Sequence, residues 1–119
     1  MNDNTLVNLS RQYAVKVVNT CSLIKERGKS NALVNQLLRC GTSIGANVAE
    51  AEQAQSTADF INKTNIALKE TVETKYWIRL LVETDYLTNK QGESLLEDCV
   101  ELENILASIV KTTKERNGI

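Results

Sequence analysis

The sequence predicts an all-α fold, an antiparallel up-down-up-down four-helix bundle, on three observations. No proline occurs in 119 residues, so nothing in the chain obliges a helix to break. Apolar residues recur at spacings of three and four through four long runs, the repeat of one helical face. The breaks between the runs are a few residues long, and short connections set neighbouring helices antiparallel. The length suits one domain, residues 1–119, large enough to bury about two thirds of the surface its unfolded chain exposes.

The first helix is predicted over residues 5–27, with Leu6, Leu9, Tyr13, Val17, Cys21 and Ile24 on one face. Gly28 is then a C-terminal cap and Ser30 an N-cap for the next helix. The second helix, residues 31–54, carries Leu33, Leu37, Cys40, Ile44 and Val48. Ser56 and Asp59 resemble a capping box that opens the third helix, residues 57–84. Its apolar positions are Phe60, Ile61, Leu68, Val72, Ile78, Leu81 and Val82. Thr88 and Gln91 stand in capping-box register ahead of the fourth helix, residues 89–115. There Leu95, Cys99, Leu102, Leu106 and Ile109 form one stripe, flanked by Leu96, Val100, Ile105 and Val110. An apolar face wider than about 100° is usually covered on more than one side. That width, with Tyr76 and Trp77 adjacent and so unable to share a face, means either that the core is thick there or that a second subunit covers it, and oligomerisation is the favoured expectation.

Composition narrows the function. A net charge of -1 exerts no overall pull towards nucleic acid or an anionic membrane, so such contact would need a local patch. Three widely spaced cysteines and no histidine argue against a disulfide framework and against Cys-x-x-Cys chemistry. All three cysteines fall at apolar helix positions, where they read as small core residues. No run reaches the ~18 apolar residues that span a bilayer, and the N-terminus lacks a basic-then-apolar leader. The expectation is a soluble cytoplasmic protein without cofactor, metal or small-molecule substrate.

The stretch "RCGTSIGANVAEAE", residues 39–52, is the anomaly. Each glycine inside a helix costs about 1 kcal/mol relative to alanine, and two occur here. A phosphate loop would need a preceding strand and G-x-x-x-x-G-K-[ST]. Here the glycines are four apart, no lysine follows Gly45, and helix precedes them. Gly41, Gly45 and Ala49 instead form a small-residue row that lets a neighbouring backbone approach closely. Ser43, Asn47 and Glu50 form a polar row beside it.

Folding the second helix onto the third about a turn near residue 55 sets Arg39 level with Glu70 and Glu73, and Glu50 near Lys63. Arg39 is therefore expected between the two carboxylates as a partly buried pair, so that Arg39, Ser43, Asn47, Glu50, Glu70 and Glu73 make up a structural polar network. A di-iron bundle site wants Glu-x-x-His from two helices, and the chain has no histidine. Glu70 and Glu73 alone are an ordinary helical pair. No nucleophile has an activating base beside it, so no enzyme is expected. Lys25, Arg27 and Lys29 cluster at one end of the bundle and Lys111, Lys114 and Arg116 at the other. Both sets suit helix C-termini, and repeated around a ring they would become candidate contacts for nucleic acid or a partner.

The segment "QLLRCGTSIGANVAEAEQAQSTADFINKTNIALKETVETKYWIRLL" resembles the bacterial 23S rRNA intervening-sequence proteins. The residues carrying the resemblance are Gln36, Leu37, Arg39, Thr42, Ser43, Ile44, Ala46, Asn47, Ala49, Glu50, Ser56, Asp59, Phe60, Glu70, Glu73 and Trp77. It covers the second and third helices closely and the flanking helices in length and pattern. The resemblance implies a compact bundle that assembles into a homopentameric ring, in an RNA-associated or ribonucleoprotein setting. Distant relatives of that bundle are accessory proteins to the reverse transcriptases of diversity-generating retroelements, where a basic pentamer contacts nucleic acid and enzyme. This chain departs from that basic character. The functional expectation is a non-enzymatic oligomeric scaffold, and the alternative is a nucleic-acid-binding accessory subunit of a reverse transcriptase.

Overall fold

Four helices follow one another in the computed structural model, which describes residues 3–27 and 29–119. They are α1 (Asp3–Lys25), α2 (Asn31–Glu52), α3 (Thr57–Glu83) and α4 (Asn89–Arg116). Among the described residues there is no strand. Each helix packs on the next, α4 returns to α1 along a thinner seam, and neither diagonal pair meets. The bundle is long and narrow, 50 × 21 × 21 Å. Among the described residues no helix is long and apolar enough to cross a membrane.

The helix ends follow local chemistry. Gly28, the expected cap of the first helix, lies outside the described residues; α1 closes before it, with Arg27 N–H bonded to Ile24 O at 3.0 Å. Ser30 caps α2, its hydroxyl accepting from Ala32 N–H at 3.3 Å. At α3, Ser56 accepts from Asp59 N–H at 3.0 Å, while the Asp59 carboxylate takes the N–H of Gln55. That is half of the predicted capping box. Thr88 and Gln91 complete theirs, with bonds of 3.1 and 3.0 Å. α3 ends in a Schellman turn. Asp85 takes the left-handed conformation, φ 63°, so that Tyr86 N–H reaches Leu81 O and Asp85 N–H reaches Val82 O.

The core runs the length of the bundle. Val17, Ile24, Val34, Leu37, Ile44, Ile78, Leu81, Leu95 and Leu106 are all sealed from solvent. Each such aliphatic side chain contributes about 1.5–3 kcal/mol when fully buried. α3 differs from the predicted pattern, because its inward face includes Thr64, Thr71 and Thr74. Each buried hydroxyl donates to a carbonyl of its own helix one turn back, at 2.6–2.7 Å, so burial leaves none of these three hydroxyls unsatisfied. Val72, read as a core position, is instead exposed. The three cysteines are free and buried. Burial pushes the Cys21 thiol up to about 11 and the Cys99 thiol up to about 12, which keeps both protonated and unreactive at neutral pH.

The wide apolar face of α4 needs no second subunit to cover most of it. Val110 is buried, and Leu96 and Ile105 are half-buried against the protein's own core. Only Val100 of that flanking stripe is left exposed. Tyr76 and Trp77 do divide between faces: Trp77 is half-buried against the core, and Tyr76 stands in solvent, edge-on to it with ring centroids 5.0 Å apart.

Candidate functional site

The seam between α2 and α3 holds the predicted polar residues. The Arg39 guanidinium bonds the Glu73 carboxylate and Gln36 Oε1, and its second nitrogen lies 3.6 Å from Glu70 Oε2. Trp77 Nε1 donates to the same Glu73 oxygen at 3.0 Å. Lys63 meets Glu50 at 3.6 Å. The register predicted from the α2–α3 turn therefore places both pairs. The Arg39 side chain is half-exposed, whereas Glu70 retains only 18% of its side-chain exposure. Among the described residues Glu70 Oε2 has no hydrogen-bond donor. Burial raises the Glu70 carboxyl above the usual carboxylate range, Glu73 adds to the rise, and Arg39 opposes it.

The network is not continuous. Ser43 donates to Arg39 O at 2.8 Å and Asn47 to Ser43 O at 2.9 Å, both within α2. A hydroxyl or amide on a helix finds its own carbonyl one turn back more easily than a partner across a seam. These two residues thus make α2 self-sufficient, and only Arg39 and Glu50 bridge to α3.

The glycines serve a different neighbour. A Cβ on Gly41 would lie 2.9 Å from both methyls of Val17, and one on Gly45 would lie 3.2 Å from Ser10 O. Close packing is therefore between α2 and α1. Ala49 is exposed and does not extend that row. Four residues overshoot one helical turn by about 40°, so by Ala49 the row has rotated off α1. Gly92, which the spacing did not single out, is tighter still, since a Cβ there would overlap Val82 Cγ2.

Between α1 and α4 lies a cleft of about 260 Å³, with Leu9, Tyr13 and Leu102 among its walls and Gln12, Lys16, Asp98 and Glu101 around it. Lys16 spans it, bonding Ser94 and reaching Asp98 at 2.7 Å. Tyr13 donates to Leu95 O at 2.9 Å from a fully buried position. These links engage Tyr13, Lys16 and Asp98 of the cleft. Among the described residues no group of three or more histidine, cysteine, aspartate or glutamate residues is placed to hold a metal ion.

The two basic clusters differ. Arg27 donates to Tyr86 O, and Lys29 to Asp85 O at 3.0 Å and Thr84 O at 3.4 Å, with its ammonium 4.8 Å from the Tyr86 ring centre. Both are thus bound to the carbonyl end of α3, a structural duty that complements its dipole. Lys25 sits in the last turn of α1. At the opposite end Lys111, Lys114 and Arg116 occupy the end of α4, and no described residue forms an ion pair with them.

Of the exposed apolar side chains, Tyr76 and Val100 were marked by the sequence, and Val15, Val18, Leu23 and Val72 were not. Val15 (55% exposed), Val18 and Leu23 lie on the outer face of α1; Val72 (54%) and Tyr76 (58%) lie on that of α3, with Val100 on α4. Val18, Leu23, Val72 and Val100 each adjoin a buried residue, about 100° from it around the helix, and Val15 and Tyr76 lie nearly opposite the core stripe. In the sequence the first four merge with the core positions beside them.

A family model described as 23S rRNA-intervening sequence protein matches residues 2–108. Among solved structures, the chain is similar to a protein of unknown function from the S23 ribosomal protein family of Bacteroides thetaiotaomicron. The two share 50% sequence identity with a TM-score of 0.90, over 93% of this chain and 99% of that one. No protein of curated function matches the sequence.

Proposed function

The chain belongs to the family of 23S rRNA-intervening sequence proteins, and on that premise we propose that it is a non-enzymatic scaffold, self-assembled as a homopentamer, that works in an RNA-associated setting. The observation that carries this reading is the set of large apolar side chains left in solvent on the outer faces of α1, α3 and α4. Scattered apolar residues on a surface are ordinary, but these gather on outer helical faces, where a second subunit would cover them. The polar residues of the α2–α3 seam support a structural part, since Arg39, Ser43, Asn47 and Glu50 are engaged within the bundle. The family's name supports the RNA-associated setting.

One observation favours a second reading, an accessory subunit that contacts nucleic acid or a reverse transcriptase. Lys111, Lys114 and Arg116 carry no ion pair from the described residues, and a ring would repeat them as a rim. Size-exclusion chromatography recorded at two wavelengths separates the readings. The scaffold elutes as a nucleic-acid-free assembly, and reversing the three charges leaves its elution and absorbance ratio unchanged. The accessory subunit elutes with nucleic acid that departs as salt rises, and the same reversal abolishes the association. Elution as a monomer would contradict both.

A further inference from the structure

We infer that copies of this chain join through the outer face of α3 on one protomer and the acidic outer face of α4 on the next. This deepens the self-assembly proposed above and rests on it. The inference starts from two sets of exposed charges of opposite sign. α3 presents Lys69 and Arg79 around Val72 and Tyr76; α4 presents Glu93, Glu97 and Glu101 around Val100. None of these charges has an ion pair among the described residues.

Their levels along the bundle match. Within the protomer Lys75 meets Glu103 at 2.8 Å, Cys99 Sγ reaches Thr71 O, and Gly92 abuts Val82. That register sets Arg79 level with Glu93, Val72 with Val100, and Lys69 close to Glu101. It also sets Glu83 level with Lys90, a pair of reversed polarity and likewise exposed. Rotation about an axis parallel to the bundle preserves level, so α3 of one copy facing α4 of the next sets Arg79 against Glu93, Lys69 against Glu101 and Glu83 against Lys90, with Val72 against Val100 between them. Each exposed pair is weak alone; a matched series fixes partner choice and register.

The other exposed apolar face does not match in this way. Contacts of Val17 with Gly41 and of Arg39 with Glu73 set the level of α1 against α3. Arg11 then falls near Lys69 and Glu26 near Glu83, like against like. Geometry separates the two arrangements as well. α1 and α3 are diagonal, so their outer faces point in opposite directions and joining them would propagate a filament. α3 and α4 are adjacent corners, and a head-to-tail contact between adjacent corners turns at each step and can close into a ring.

A charge-swap series read by native mass spectrometry tests the interface. Lys69→Glu with Arg79→Glu is expected to lose the assembled mass, and Glu93→Lys with Glu101→Lys to lose it equally. All four substitutions in one chain are expected to restore it, with far-UV circular dichroism unchanged throughout because every site is exposed. An assembled parent whose mass survives both reversals, or a fourfold variant that stays dissociated, would overturn this interface while leaving self-assembly standing. A monomeric parent would overturn both.

Discussion

Arg39 stands half in solvent, yet it is the cation opposite two carboxylates, one of which is nearly enclosed. Its removal leaves Glu70 with a desolvated charge and a nearby Glu73, the situation in which breaking a pair is costly. Arg39→Leu is therefore expected to unfold at lower denaturant at pH 7 than the parent. The pH dependence follows from Glu70. Its carboxyl is raised in the folded protein, by burial first, so the folded state binds the proton more readily than the unfolded chain. Ionised Glu70 thus costs stability at neutral pH, and the cost is relieved as pH falls through the raised value. The deficit of Arg39→Leu should accordingly narrow on mild acidification. A deficit that stays constant, or no deficit at pH 7, would remove Glu70 from this explanation. The thiols give a second residue-scale test. With Cys21 at about 11 and Cys99 at about 12, neither should be alkylated at neutral pH in the native protein, and both should be labelled once denaturant is added. The Arg39 pairing was legible because spacing on two helices joined by a short turn sets which residues face each other. The fate of Ser43 and Asn47 was not, since a hydroxyl or amide can turn to its own helix without any change in the pattern.

At the scale of the helix, α2 is thin for a reason that its own sequence does not contain. Gly41 and Gly45 give way to Val17 and to the Ser10 backbone, so the partner helix decides their value. Gly41→Ala would gain about 1 kcal/mol of helix propensity, but overpacking against a stiff β-branched side chain typically costs about 1–3 kcal/mol. The variant is expected to be less stable than the parent. In a Val17→Ala background the same substitution should become neutral or stabilising, and a double-mutant cycle with no coupling would refute the close contact. The α3–α4 turn offers a complementary case. Asp85 holds φ 63°, a conformation that costs residues with a Cβ about 1–2 kcal/mol. Asp85→Gly should raise the melting temperature, and Asp85→Val should lower it. Helix boundaries came out of the spacing within about two residues because caps and turns are local chemistry. Which α3 positions face inward was harder to see, because Thr64, Thr71 and Thr74 are buried through bonds to their own helix while Val72, an apolar residue, is not.

For the whole molecule, the four-helix architecture follows from a proline-free chain with a three-and-four repeat, and it is the part that sequence specifies most completely. The outer surface is where specification fails. An exposed valine and a core valine look alike in a one-dimensional pattern, and only packing tells Val15 from Val17. The same ambiguity misdirected the oligomer argument to the broad apolar face of α4, most of which its own core covers. The case for assembly now rests on the apolar side chains exposed on α1, α3 and α4, and on charges arranged at matching levels of α3 and α4. Assembly is the central claim, and light scattering of the parent protein on a sizing column tests it most directly. The account predicts a single species near 66 kDa, five times the 13.2 kDa chain. A species of 13.2 kDa that persists as protein concentration rises would contradict it.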